Sequence, residues 1–223
     1  MAILYIIGTP IGNLKDITFR ALETLKEVDL ILAEDTRITR KLLNHYNIRT
    51  PLKSYHEHSP ESVYKFINEE LKQGKNIALV TDAGTPAISD PGSQLVHYVI
   101  SHLSSVIVSP IPGPSAVTAA LSASGLNADR FTFLGYPPHK KGRHTFFQNL
   151  KEIKNRPLVL YESPHRLQKT LAALGAIFGQ NQEIVVAKEL TKIHEEIWRG
   201  QVETALSYFV EEKGKGEFVI ILT

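Results

Sequence analysis

Four short apolar runs, Ile3–Ile7, Leu30–Ala33, Ile77–Val80 and Val106–Val108, each give way to small, acidic or proline-rich residues. Each is too short for a helix, and together they read as buried strands. Helical patterns fill the intervals. After a start at Asp16 or Thr18, Ala21, Leu22, Leu25 and Val28 share one helical face. Thr36 can cap a helix through about Tyr46, Ser59-Pro60 pairs a capping serine with a first-turn proline, and Gln94–Leu103 is helical. Strands that are apolar throughout and separated by helices argue for an α/β chain with a mostly parallel sheet covered on both faces.

The rhythm changes at Pro110-Ile-Pro-Gly-Pro114, a stiff connector that marks a boundary between a domain of residues 1–110 and one of residues 115–223. Beyond it a helix can run from Pro114 to Ser124, and Ser163-Pro164 repeats the capping pattern for a helix to about Phe178. Phe131–Leu134, Leu158–Tyr161, Glu183–Lys188, Glu195–Arg199 and Phe218–Leu222 read as strands. They crowd together late with only short helices between them, which predicts a mixed sheet. The chain stops on the last of these runs with no polar tail, as one cut at a domain edge would.

Composition narrows the classes. The chain has no cysteine, so disulfides and thiolate metal sites are excluded, which suits a cytoplasmic protein. The apolar start is too short for a signal peptide or a membrane span. A net charge of +2 is not that of a wholesale nucleic-acid coat. The positive charge is local, in His139-Lys-Lys-Gly-Arg-His144, followed by Lys151, Lys154 and Arg156. Such a cluster meets phosphates or is a solvated loop. His56-Glu-His58 is a tight histidine pair without a third ligand, so no metal site is expected.

Positive charge is missing elsewhere. No Lys or Arg occurs between Asn76 and Asp129, although the chain holds 25 in 223 residues. Two turns rich in small residues fall in that stretch, Asp82-Ala-Gly-Thr-Pro-Ala-Ile-Ser-Asp-Pro-Gly92 and Ile111-Pro-Gly-Pro-Ser-Ala-Val-Thr-Ala-Ala-Leu121. They suit a positive ligand, or one held by main-chain groups; the plain alternative is two connections in a buried half-domain. Gly8-Thr-Pro-Ile-Gly12 sits where a dinucleotide fold carries G-x-G-x-x-G, and it fails that pattern. Glu34-Asp35 nevertheless stands where a ribose-binding acid belongs. There is no P-loop.

Three charged constellations leave strand ends. Glu34-Asp35-Thr36-Arg37 is a ligand edge or a helix cap. Tyr161-Glu-Ser-Pro-His-Arg166 puts a carboxylate, an imidazole and a guanidinium within five residues, able to handle a proton and a phosphate together or to decorate a capped helix, with His165 and Arg166 in its first turn. Lys188-Glu-Leu-Thr-Lys192, with His194 beyond, is basic reach or a surface hairpin.

In order along the chain, residues 4–18, 33–37, 81–92, 112–116, 161–166 and 188–192 resemble the bacterial small-subunit ribosomal RNA 2'-O-ribose methyltransferases of the tetrapyrrole methylase superfamily. The resemblance implies a two-domain tetrapyrrole-methylase-like α/β fold, with a mostly parallel N-terminal sheet, a mixed C-terminal sheet and helices on both faces. It implies S-adenosyl-L-methionine in a cleft between the domains, a homodimer, and the 2'-hydroxyl of a cytidine in the decoding region of small ribosomal subunit RNA as acceptor. By position in the pattern, Pro10, Thr85, Ile88, Ser115, Ala116, Tyr161 and Leu190 line the donor pocket, and Asp82–Gly84 shapes its floor. The residues agree at one independent point: a sulfonium cation is repelled by Lys or Arg, and the two turns above have none.

A ribose hydroxyl is a poor nucleophile and calls for a base. Asp35, Glu162 and Glu189 are the candidates, with Glu162 favoured. Arg37, His165, Arg166, Lys188 and Lys192 are candidates for flanking phosphates, with Lys140, Lys141 and Arg143. Two departures stand out: relatives usually continue with a further helical segment, and Lys188 stands where they commonly carry Arg. The competing readings are a relative acting on a corrinoid precursor or a protein side chain, a nicotinamide dehydrogenase, and a non-catalytic RNA-binding module.

Overall fold

Parallel strands with long apolar runs need cover on both faces, and the computed structural model shows how each sheet obtains it. It describes residues 1–223, the side chain of Glu212 excepted. The chain divides into two compact units, Met1–Ser115 and Ala116–Thr223.

In the first unit β1 (Ile3–Ile7), β2 (Leu30–Ala33), β3 (Leu52–Ser54), β4 (Ile77–Val80) and β5 (Ile107–Ile111) form a parallel sheet in the order β3-β2-β4-β1-β5. Alternate residues feed two cores. Ile7, Ile31, Ala33, Ala78 and Val80 pack on one face with Ala21 and Leu25 of α1 (Phe19–Glu27) and Leu42 and Leu43 of α2 (Thr36–His45). Leu4, Leu30, Leu32, Ile77 and Leu79 pack on the other with Ile67 and Leu71 of α3 (Glu61–Lys72) and Leu95 and Val99 of α4 (Ser93–His102).

In the second unit β6 (Thr132–Phe133), β7 (Leu158–Glu162), β8 (Glu183–Lys188), β9 (Glu196–Gln201) and β10 (Phe218–Leu222) form a mixed sheet in the order β6-β7-β10-β8-β9. Only the β6–β7 pair is parallel. The central strand β10 is buried at all five positions. Phe218, Ile220 and Leu222 face α6 (Arg143–Asn149), α7 (Leu167–Phe178) and α8 (Val202–Tyr208), while Val219 and Ile221 face α5 (Ala116–Ser124).

Several local expectations are corrected. The cap of α2 is Asp35, whose carboxylate accepts the Arg37 N–H at 2.8 Å, and not Thr36. Ser59 does not cap α3: its hydroxyl accepts the His56 N–H at 2.9 Å, and Pro60 holds the cap position without a side-chain bond. His165 and Arg166 precede α7 instead of occupying its first turn, because a turn closed by Arg166 N–H to Ser163 C=O comes first. Pro110, expected in the connector, is a strand residue opposite Ile6, as an edge strand permits. β3, α6 and α8 were not anticipated.

Candidate active site

At the carboxyl edge of the parallel sheet three turns knit together through the main chain. Thr9, after β1, and Gly84, after β4, exchange both backbone hydrogen bonds, at 2.9 and 3.0 Å. The Thr9 hydroxyl donates to Thr81 C=O at 3.1 Å. The Thr85 hydroxyl donates to Pro114 C=O at 3.3 Å, which brings in the turn after β5. Gly8 and Gly113 touch through their backbones: a Cβ on Gly113 would lie 2.7 Å from the Gly8 carbonyl oxygen, and one on Gly8 would lie 2.8 Å from Gly113 Cα. Only glycine fits at both. The floor is therefore built from peptide groups and small neutral side chains. The Thr81 hydroxyl is buried within it without a hydrogen-bond partner.

Carboxylates surround that edge. β2 and β4 are neighbours with Ala33 opposite Val80, so Glu34 and Asp35 leave one strand beside Thr81 and Asp82 leaving the other. The Asp35 N–H donates to Asp82 Oδ1 at 3.0 Å. The Asp35 carboxylate is held down to about 2 by hydrogen bonds from Arg37, whose Nη2 lies 2.6 Å away. Burial, joined by the charge of Asp82, raises Glu34. Burial and the Asp35 charge raise Asp82, whose bond from the Asp35 N–H works the other way. Asp90 is pushed up to about 7 by burial first and then by the charges of Glu34 and Asp82.

The second unit treats its carboxylates differently. Glu162 ends β7 on the face of Leu158 and Leu160, and its side chain is 0% exposed. Oε1 accepts from Arg166 Nε at 2.7 Å and from the Ser163 N–H at 2.8 Å; Oε2 accepts from the Thr170 hydroxyl. Arg143 reaches the same Thr170 oxygen at 2.6 Å and lies 3.8 Å from Glu162. Arg166 and Arg143 also donate to the carbonyls of Pro137 and Pro138. The network thus staples the loop after β6 to α6 and α7. A carboxylate with both oxygens committed in this way is a structural anion.

A second charged knot lies beyond β8. Lys188 is nearly buried, and its ammonium donates to Lys213 C=O at 2.9 Å. Glu189 and Thr191 adopt left-handed backbones, φ +48° and +66°, on either side of Leu190. Lys192 holds this bend by bridging Glu189 at 2.9 Å and Glu217 at 2.8 Å. Burial raises Glu189, but hydrogen bonds from Lys192 and the Glu217 N–H outweigh it and leave the group lowered.

The sequence profile of the Tetrapyrrole (Corrin/Porphyrin) Methylases matches residues 3–206. The chain belongs to this family. Among its relatives, proteins named ribosomal RNA small subunit methyltransferase I share 50% identity in Synechocystis, over 100% of this chain and 79% of the relative, and 47% in Thermotoga maritima, over 100% of this chain and 99% of the relative. The chain thus spans nearly all of one such relative and about four fifths of another. Solved methylase structures share the fold: diphthine synthase aligns with TM-score 0.72 at 15% identity, covering 100% of this chain and 90% of that one. A cobalt precorrin-4 methyltransferase aligns with TM-score 0.70 at 20% identity, over 98% and 94%.

Within the methylase fold the anticipated residues fall into separate groups. Pro10, Thr85 and Ser115 belong to the main-chain floor or its rim in the first unit, and Ile88 projects from the same loop, 50% exposed. Ala116 opens α5. Tyr161 lies on β7, edge-on to Phe133. Arg37 is paired to Asp35 with its side chain 87% exposed. Glu162, Arg166 and Arg143 come together, as do Lys188, Glu189 and Lys192. His165, Lys140 and Lys141 are exposed. Sequence reasoning passed over the Asp90 and Thr170 side chains, and offered Glu34 only as a ribose-binding acid or as part of a ligand edge or helix cap. The available signal was that acids at 34, 82 and 90 all follow strand ends; what it lacked was the pairing of β2 with β4.

Proposed function

We propose that this protein transfers a methyl group from S-adenosyl-L-methionine to the 2'-hydroxyl of a cytidine in the decoding region of small-subunit ribosomal RNA. The observation that carries the reading is near-half identity, over the whole chain, to relatives named ribosomal RNA small subunit methyltransferase I. The residues present fit the donor. A sulfonium is tolerated by a floor of peptide groups and small neutral side chains, most of it in a stretch free of Lys and Arg. Pro10, Thr85, Ile88 and Ser115 of the first unit would hold it. When bound, the donor supplies an electrophilic methyl group.

The chain's own contribution is alignment and proton removal. Walls of peptide groups and small neutral side chains would avoid favouring a cationic donor's ground state over a transition state in which that charge is being lost. Lys140 and Lys141, exposed beside α6, and the exposed His165 suit phosphate contact. Arg37, Arg143, Arg166, Lys188 and Lys192 are engaged within the protein and contribute through the loops they hold. Among the described residues no helix is long and apolar enough to cross a membrane; the RNA acceptor would place the enzyme in the cytoplasm, and we take it to act as a homodimer.

The test is transfer of a tritiated methyl group to small ribosomal subunits, followed by nuclease digestion. Label in 2'-O-methylcytidine is expected. Label in a base, in ribosomal protein, or only in a corrinoid precursor overturns the reading. Calorimetry should show binding of S-adenosyl-L-methionine and none of nicotinamide dinucleotides.

A further inference from the structure

A cavity of about 660 Å3 opens in the first unit, lined by Glu34, His56, Glu57, His58, Ser89 and Asp90 among others. Its position follows from topology. β2 and β4 pair in parallel, so the segments after them leave the sheet side by side, and β3, on the other flank of β2, delivers His56–His58. The wall carrying Asp90 is closely specified. Ala87 and Ser89 adopt left-handed backbones, φ +69° and +60°, and the Ala87 N–H closes the loop onto Pro91 C=O at 3.2 Å. Gly92 follows at φ +141°, where a Cβ would lie 2.9 Å from Leu79 Cδ2. Strained backbone of this kind, held by its surroundings, is a frequent mark of functional loops.

The Asp90 side chain is half-buried, and among the described residues no hydrogen bond or ion pair engages it. The groups that face it are the carboxylates of Glu34 after β2 and Asp82 after β4, with His56, Glu57 and His58 from the segment after β3. Asp90 and Asp82 belong to the Lys- and Arg-free stretch; the nearest guanidinium on β2's exit, Arg37, is bound to Asp35. Among the described residues no three His, Cys, Asp or Glu side chains are placed to hold a metal ion together. Its volume suits a small-molecule guest such as a nucleoside. Carboxylates accept from sugar hydroxyls and from the exocyclic amine of cytosine, and they repel free phosphate.

We propose that this cavity receives the target nucleoside and that Asp90 is the catalytic base that takes the proton from its 2'-hydroxyl. The inference rests on the functional reading above and names the residue that reading left open. The hydroxyl oxygen gives its proton to an Asp90 oxygen and forms its bond to the methyl carbon. The old carbon–sulfur pair stays on sulfur. A carboxylate and a sulfonium become a carboxylic acid and a neutral thioether, so two opposite charges vanish together, and Asp90 returns its proton to water between turnovers. A base that titrates near neutral pH is better matched to the task than Asp35, held at about 2, or Glu162, sealed by Arg166 and Thr170.

The experiment is Asp90→Asn with small ribosomal subunits and a tritiated methyl donor. Expected is a fall in kcat of about 10²- to 10⁴-fold with donor affinity by calorimetry within about twofold of wild type. A readout independent of turnover accompanies it: infrared or carbon-13 titration of the wild-type carboxylates should show one group with a midpoint near 7 that disappears in the variant. Glu34→Gln, which removes a facing charge, should move that midpoint, and the acid limb of the kcat profile with it, to lower pH. An Asp90→Asn protein keeping more than a tenth of wild-type kcat, or an Asp90 that titrates as an ordinary carboxylate, overturns the inference while the functional reading stands. A folded, donor-binding wild type that methylates no ribosomal RNA overturns both.

Discussion

Asp90 and Glu162 both follow or end a buried strand, yet the protein handles them in opposite ways. Glu162 has two guanidinium groups, a hydroxyl and a peptide N–H converging on it. Asp90 has two other carboxylates for company and no partner among the described residues. Burial with partners fixes a charge and makes it part of the scaffold. Burial without them leaves a group that gains or loses a proton near neutrality. The contrast extends to the surroundings: the second unit builds its charged cluster from side chains, the first builds its floor from main chain.

The largest test of that contrast is Glu162→Gln. It leaves Arg166 and Arg143 without their anion beneath α7, a change that typically costs about 3–5 kcal/mol. A clear fall in the urea midpoint should follow, and a double-mutant cycle with Arg166→Met should show strong coupling. A variant that folds with wild-type stability but loses methyl transfer would return Glu162 to the chemistry and dissolve the distinction.

Next in size is Gly113→Ala. The added methyl meets backbone, not a yielding side chain, at 2.7 Å from the Gly8 oxygen and 2.9 Å from its Cα. Relief requires separating the turns after β1 and β5. Overpacking of this kind costs about 1–3 kcal/mol, and donor affinity should fall at least tenfold by calorimetry. Unchanged affinity would mean that the donor does not sit on the main-chain floor.

The legible and illegible parts of the sequence divide along the same line. Leu30–Ala33, Ile77–Val80, Glu183–Lys188 and Phe218–Leu222 stand where the apolar runs put them, since a strand covered on both faces must be apolar throughout. β3 escaped because it is a three-residue edge strand with Lys53 at its centre. α6 was hidden by the cationic cluster at its start, where Arg143 lies over the Phe147 ring and turns a charged residue toward the core. The cap of α2 was misplaced by one residue because Asp35 and Thr36 are both capping types in sequence, with Asp the stronger. The three small-residue turns were legible as turns at strand ends, and they knit together through the main chain. The raised Asp90 carboxyl was not legible, because it comes first from burial and then from the charges of Glu34 and Asp82, which only the folded strand order brings near.

A subtler test concerns stability against pH. Asp90 in an unfolded chain ionises near 3.8, and in the folded protein near 7. Between those values the folded chain keeps a proton that the unfolded chain has lost, so this group makes stability fall as pH rises through the window, and the loss persists above it. Asn has no such proton. The melting temperature of Asp90→Asn should therefore equal that of wild type below about pH 4, rise above it from pH 4 to 7, and hold a constant lead beyond. A lead that is absent, or reversed as a structural carboxylate would give, would show that Asp90 is paired after all and remove the contrast with Glu162.

The smallest expected effect comes from Lys192→Ala. Lys192 joins Glu189 to Glu217 on a part-exposed surface, and such pairs are worth about 0–1 kcal/mol. The bend it holds carries two left-handed residues around Leu190, so the variant should loosen Leu190 more than it destabilises the unit. The sign with pH is opposite to that of Asp90. Glu189 is lowered in the folded state, so its contribution is present above the unfolded carboxylate value of 4.5 and fades as acid protonates it. The stability gap between Lys192→Ala and wild type should close on acidification, and it should shrink with added salt. Backbone amide exchange at Leu190 should accelerate even where the melting temperature barely moves. If exchange there is unchanged, the left-handed bend is held by the Glu189–Glu217 backbone pairing and not by the ammonium, and side-chain charge does less in the second unit than the comparison with the first implies.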